Sequence, residues 1–149
     1  MRNTILLGFM LACGLAGIAQ AADYVVVKSS DPGLKPGVEL NAGERVALGA
    51  GQTATLMSAS GSVSILRGAA GGVATPRAGA QADPARLAAL KALVAPAPTG
   101  STFGARRSGV CPDPATLTTV DQILSVQQGG CAAQARIALD AYVAGQAKP

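Results

Sequence analysis

Gly43-Glu44-Arg45-Val46-Ala47-Leu48, Gly51-Gln52-Thr53-Ala54-Thr55-Leu56 and Gly61-Ser62-Val63-Ser64-Ile65-Leu66 are three units built alike, each a glycine followed by alternating polar and apolar residues. Successive side chains of a strand point to opposite faces of its sheet, so these units read as short strands with glycine corners. The alternation predicts one buried face made of Val46, Leu48, Ala54, Leu56, Val63 and Ile65. Glu44, Thr53, Thr55, Ser62 and Ser64 then face water or a second layer. Upstream, Gly37-Val38-Glu39-Leu40 starts the same rhythm. Tyr24-Val25-Val26-Val27-Lys28 is β-branched and aromatic, the composition of a strand. Ser29-Ser30-Asp31-Pro32-Gly33 supplies turn chemistry between them. A small barrel, a sandwich and a short β-solenoid all satisfy this spacing.

Beyond Leu66 the pattern changes. Residues 68–82 are mostly Gly and Ala, with Pro, Thr, Arg, Gln and a single Val, without periodicity, which predicts a flexible linker. Asp83-Pro84 is a helix start, with Asp as N-cap and Pro at the first helical position. Leu87, Leu90, Leu93 and Val94 follow at helical spacing, and Ala95-Pro96-Ala97-Pro98 stops the run. A second flexible piece extends to about Gly109. After Cys111, Asp113-Pro114 repeats the helix start, and Leu117, Val120, Ile123 and Leu124 predict a short amphipathic helix. A strand over 115–120 is the alternative, since Thr-Leu-Thr-Thr-Val also favours β structure. Gly129-Gly130 ends that helix, and Cys131 opens another with Ala135, Ile137, Ala138, Leu139, Tyr142 and Val143 as its apolar residues. The fold class expected is α+β. Its parts are a leader over 1–21, a small all-β unit over 22–68 and a low-complexity linker over 69–110 with a short helix near 84–94. A disulfide-tied helical segment over 111–145 completes the chain.

The leader carries the location. Met1-Arg2-Asn3 is a short positive region, Thr4 to Ile18 is uncharged and mostly apolar, and Ala19-Gln20-Ala21 fits small-x-small cleavage. That order is the signature of a secretory signal peptide cut near Ala21, which places the mature chain in the periplasm or outside the cell. A retained membrane anchor is the competing reading, because the uncharged run is at the short end of spanning length. Met10-Leu11-Ala12-Cys13-Gly14 also approaches a lipoprotein box, although the apolar stretch continues past Cys13. Contact with a membrane therefore follows only from a retained leader or a lipidated Cys13. Cleavage removes Cys13 and leaves Cys111 and Cys131 as an even pair, which in an exported protein implies a disulfide. A redox pair normally sits as C-x-x-C, so the wide spacing favours a structural staple.

A staple has work to do here. The chain of 149 residues has two Tyr, two Phe and no Trp, with Gly at 19 and Pro at 9. Any core must rest on Val, Leu, Ile and Ala, and a small core is marginal. The formal charge of +4 loses one unit with Arg2, and what is left is scattered. Arg106-Arg107 is the densest basic pair, with Arg77 in a similar Gly/Ala/Pro setting. A nucleic-acid interface needs a clustered basic face with aromatics to stack on bases, and the sequence offers neither.

Lys35-Pro36-Gly37-Val38-Glu39-Leu40, Gly43, Ala47-Leu48-Gly49-Ala50-Gly51, Ala54-Thr55-Leu56 and Gly61-Ser62-Val63 with Leu66-Arg67-Gly68 carry a family likeness. In this order they make residues 24–72 resemble the periplasmic β domain of FecR-type regulators and related exported proteobacterial proteins. The resemblance implies a non-enzymatic β domain that relays signals through protein contacts. It does not imply sigma-factor regulation. FecR proteins engage the sigma factor through a cytoplasmic N-terminal region, and only three residues precede the apolar segment here.

Catalytic chemistry finds no foothold in the sequence. There is no His, so Ser-His-Asp and Cys-His arrangements are impossible. Glu39 and Glu44 are the nearest acidic pair in the β unit and read as solvated strand or turn residues. Gly49-Ala50-Gly51 and Gly68-Ala69-Ala70-Gly71-Gly72 lack the Lys-Ser/Thr of a P-loop and the placement of a dinucleotide loop. No catalytic residue, metal ligand or cofactor is assigned, and Cys111 and Cys131 are the only site residues named. The expected function is a non-catalytic binding, structural or signalling module of the bacterial envelope, with a protein or envelope component as partner. A membrane-tethered signalling protein and a small hydrolase without a recognisable motif are the alternatives. A pocket with converging polar groups would favour the hydrolase; an open edge strand or an exposed apolar patch would favour partner binding.

Overall fold

Strand β1 (Tyr24–Ser29) buries four consecutive side chains, Tyr24 through Val27. Because successive side chains alternate, a strand can do this only where both faces of its sheet are covered. The computed structural model describes residues 22–77, 83–95 and 110–147, and both covers lie within them. The other strands are β2 (Glu39–Leu40), β3 (Arg45–Val46), β4 (Thr53–Ser58), β5 (Val63–Arg67) and β6 (Val73–Ala74). One antiparallel sheet has the order β2-β1-β4-β5, and β3 pairs with β6 as a separate ribbon.

The ribbon covers one face. Tyr24, Val26, Leu40, Ala54, Leu56 and Leu66 of the sheet pack there against Val46 and Leu48. The predicted buried face is therefore real for Val46, Leu48, Ala54 and Leu56. Val63 and Ile65 do not belong to it. The β4–β5 register sets Met57 opposite Val63, Thr55 opposite Ile65 and Ala54 opposite Leu66. Directly opposed residues share a face, so Val63 and Ile65 point away from the ribbon, and Leu66 takes the position expected of Ile65. Alternation within each strand was sound, but it cannot fix the phase of one strand against the next.

The supposed linker also begins later than the sequence suggested. Val73 and Ala74 pair with Val46 and Arg45. Next to them, the buried Thr75 donates its backbone N–H to the Glu44 carbonyl and its hydroxyl to the Asn41 carbonyl. Residues 69–75 thus close the ribbon, whereas 78–82 lie outside the described residues. Two glycines are required by these close approaches. A Cβ on Gly68 would collide with the Gly49 carbonyl oxygen, and one on Gly61 (φ +88°) would come within 2.8 Å of Val120 Cγ2.

Three helices cover the opposite face. The predicted helix near 84–94 is α1 (Pro84–Val94), with Asp83 accepting from the Arg86 N–H as its N-cap. α2 (Val120–Gln128) and α3 (Ala132–Gln146) follow. The helix expected from Asp113-Pro114 starts later. Asp113 caps only a 3-10 turn at Pro114–Thr116, and the chain stays extended to Thr119. Thr119 and Gln122 then form a reciprocal capping box, the stronger of the two starts, at the head of α2. Gly129 and Gly130 (φ +95°) end α2, as the sequence indicated.

The helices and the sheet share one core. Val25, Val27 and Met57 of the sheet, with Ala59 in the turn after β4, pack with Leu87, Leu90 and Val94 of α1, Ile123 of α2, and Ala138 and Leu139 of α3. Boundaries at 68 and 111 consequently do not separate two independently packed units. Among the apolar residues assigned to α3, Ile137 is the exception: it is 59% exposed.

Candidate functional site

Cys111 and Cys131 are bonded, with their Cα atoms 5.8 Å apart. Cys131 is the buried residue at the head of α3, and Cys111 precedes the Asp113-capped turn. The bond fixes the chain, as it returns to the described part of the fold, against the α2–α3 corner. Closing a loop across this separation of 20 residues in the unfolded chain is worth about 3 kcal/mol. Among the described residues, no cluster of three or more His, Cys, Asp or Glu side chains is arranged to hold a metal.

Two further tethers bind the helical layer. Tyr142 of α3 donates its hydroxyl to the Gly61 carbonyl at 3.1 Å, pinning α3 to the β4–β5 hairpin. Arg136 Nη1 donates to the carbonyls of Leu93 (2.8 Å) and Val94 (3.2 Å), where α1 ends with unpaired acceptors. Arg136 was not singled out in the sequence and Tyr142 was read only as an apolar residue of α3, since the partners lie 43 and 81 residues away.

A cleft of about 340 Å³ opens between α1 and α2, with Asp83, Arg86, Asp121, Ser125 and Gln128 among its lining residues. Arg86 dominates it. Its Nη1 lies 2.8 Å from Asp121 Oδ1, while its buried Nε has no partner. The remaining polar groups are largely engaged with their own helices: Asp83 caps α1, and the Ser125 hydroxyl donates to the Gln122 carbonyl. Nearby, the hydroxyls of Ser58, Ser60 and Ser62 bond to one another at 2.8 and 3.2 Å. Glu39 and Glu44 do not form a catalytic pair: Glu39 meets Lys91 at 3.1 Å, and Glu44 accepts from the backbone and side chain of Asn41. Tyr24 is buried under the ribbon, and that burial, together with the neighbouring Asp23 carboxylate, pushes its hydroxyl above the ordinary tyrosine value. Arg77 is exposed beside Gly43; Arg106 and Arg107 lie outside the described residues, as does Cys13.

The sheet's two edges differ. On one side, β2 and the preceding turn shield β1, with Val26 exchanging bonds with Val38 and Gly37. On the other, among the described residues, β5 pairs with β4 alone. Its ladder orientation follows from the flanking bonds Gly68 N–H to the Gln52 carbonyl (2.8 Å) and Ser58 N–H to the Ser62 carbonyl (3.0 Å). In an antiparallel pair, hydrogen-bonded positions alternate. Ser64 and Leu66 therefore bond to β4, and the backbone groups of Val63, Ile65 and Arg67 point outward from the sheet. Ile65, at the centre, is 41% exposed beyond the reach of the helices. The signal for this surface was present in the sequence as an isoleucine flanked by serine and leucine, but it read as core because the phase of β5 was not known.

No family model matches the chain, and no curated protein or solved structure shows significant similarity to it. Among the described residues, no helix is long and apolar enough to cross a membrane.

Proposed function

We propose that this is an exported envelope protein that acts by binding rather than by catalysis, and that the β5 edge is its contact surface. The open run of backbone groups around a half-exposed Ile65 is the observation that carries the reading. A strand added there would gain main-chain hydrogen bonds and cover an apolar side chain, the usual logic of β-augmentation. Natural sheets protect edges that have no use, with short strands, charges or a covering loop. The β2 edge is two residues long and carries Glu39, whereas the five-residue β5 carries Arg67 alone. The likeness of residues 24–72 to FecR-type β domains is consistent with this, since such domains work through protein contacts. Export is supported by the Met1–Ala21 leader and by a disulfide, a bond that persists in oxidising compartments.

Intact mass of the protein from a periplasmic extract, alkylated with and without prior reduction, tests the location. A mass beginning at Ala22 or Asp23 that gains two alkyl groups only after reduction is the expected result. A full-length mass, or one carrying lipid on Cys13, would contradict a soluble periplasmic protein and make a membrane-tethered signalling role the better account.

A further inference from the structure

We infer that the occupant of the β5 edge is the β5 edge of a second copy of this chain, joined antiparallel about a two-fold axis through Ile65. This rests on the reading of β5 as the contact surface and names the partner.

The register makes the edge self-complementary. The outward-facing backbone groups belong to Val63, Ile65 and Arg67, which are spaced evenly about Ile65. Two such strands run antiparallel place Ile65 opposite Ile65, and Val63 opposite Arg67 of the second copy at both ends. All three facing positions are then hydrogen-bonded pairs, and no outward N–H or C=O of the three is left over. A two-fold contact of this kind uses the same patch twice, as isologous dimers do.

Side chains agree with that register. Paired backbones bring the two Ile65 side chains together on the helix-bearing face, where each now stands half exposed. Arg67 falls beside Val63 of the second copy, so its aliphatic stem covers a partly buried valine. The two Arg67 positions are offset by four residues along the strand, about 14 Å. That exceeds the Debye length of about 8 Å at physiological ionic strength, so their repulsion is largely screened. A one-residue slip would leave outward groups unmatched and set Ile65 against Ser64 or Leu66, which face the ribbon side.

Closure is also built in. Pairing through β5 makes one eight-stranded sheet whose outer edges are two copies of the two-residue β2. Ends only two residues long give a poor template for further addition, so the association stops at two. With five residues per strand the interface is below the size of a permanent dimer, and the dimer is expected to be reversible and concentration-dependent.

The test places a photo-crosslinking side chain at position 65, with the exposed Ala133 of α3 as control, in the full chain expressed and exported in cells. A 65-to-65 adduct of twice the chain mass, absent from the Ala133 control, is the expected result. Sedimentation of the purified, oxidised protein should show a monomer–dimer equilibrium that Ile65→Lys weakens at least tenfold, while circular dichroism and the disulfide are unchanged. An adduct at position 65 with a different protein and none with itself overturns self-pairing but leaves the β5 edge as the contact surface. No adduct at 65, with a monomer at every concentration, overturns both. A dimer that Ile65→Lys leaves intact also overturns self-pairing, by placing the contact elsewhere.

Discussion

The two faces of the β2-β1-β4-β5 sheet are covered by different means. Toward the ribbon, Leu56, Ala54 and Leu66 meet Val46 and Leu48, residues that stand within about twenty positions of one another in the chain. Toward the helices, Val25 and Met57 meet Leu90, Ile123 and Leu139, partners that arrive from far along the sequence. The ribbon face is a product of local alternation and tight glycine turns. Its helical counterpart needs docking, and the disulfide, Arg136 and Tyr142 are the devices that hold the docked layer in place. Since β1 and β4 contribute to both cores, the sheet joins what would otherwise be two marginal ones.

That comparison can be broken most directly by emptying one core at a time. Leu56 and Leu139 are both fully buried, on opposite sides of the sheet. Leu56→Ala and Leu139→Ala should each cost about 2–5 kcal/mol, by lost burial and the cavity left behind. Either change should lower a single unfolding transition followed by both far-ultraviolet and near-ultraviolet signals. Separate transitions for the two variants would mean that the faces fold independently.

Reduction of Cys111–Cys131 comes next in size. Opening that loop should lower stability by about 3 kcal/mol, measured as a fall in the denaturant midpoint with little change in its slope. Loss of helical signal alone on reduction, with the sheet intact, would show that the staple serves only its own segment. The smallest effect sharpens the same boundary. Tyr142→Phe deletes the hydroxyl bonded to the Gly61 carbonyl and should cost about 1 kcal/mol. A double-mutant cycle of Tyr142→Phe with Met57→Ala should then show coupling, because both act on the helix-bearing face.

Much of this was legible in the residues. Glycine corners and alternation gave β4 and the inward residues Ala54 and Leu56, and β-branched, aromatic composition gave the strand character of Tyr24–Val27. Asp83-Pro84 marked α1, and the cysteines that remain once Cys13 is read as part of a leader marked the bond. Local reading failed where the deciding partner was remote. Ile65 was placed in the core because the apolar residues of β4 and β5 look alike in phase, and only the hairpin register shows that Leu66 points inward. Val73 and Ala74 form too short a strand to show any period, so β6 read as linker. Asp113-Pro114 and Thr119 are both adequate helix starts, and the capping box with Gln122 is what favours the later one. As for the candidate contact surface, composition could name Ile65 but could not show that it stands at an open edge.

Native-state hydrogen exchange on the oxidised protein at low concentration asks whether one sheet supports both layers and leaves the β5 edge open. Amides of β1, β4 and the interiors of α2 and α3 should exchange through one common opening of the highest free energy. Along β5, Ser64 and Leu66 should be protected, and Val63, Ile65 and Arg67 should exchange freely. Helices that exchange well before the sheet, or an Ile65 amide as protected as that of Leu66 in the dilute monomer, would contradict the account.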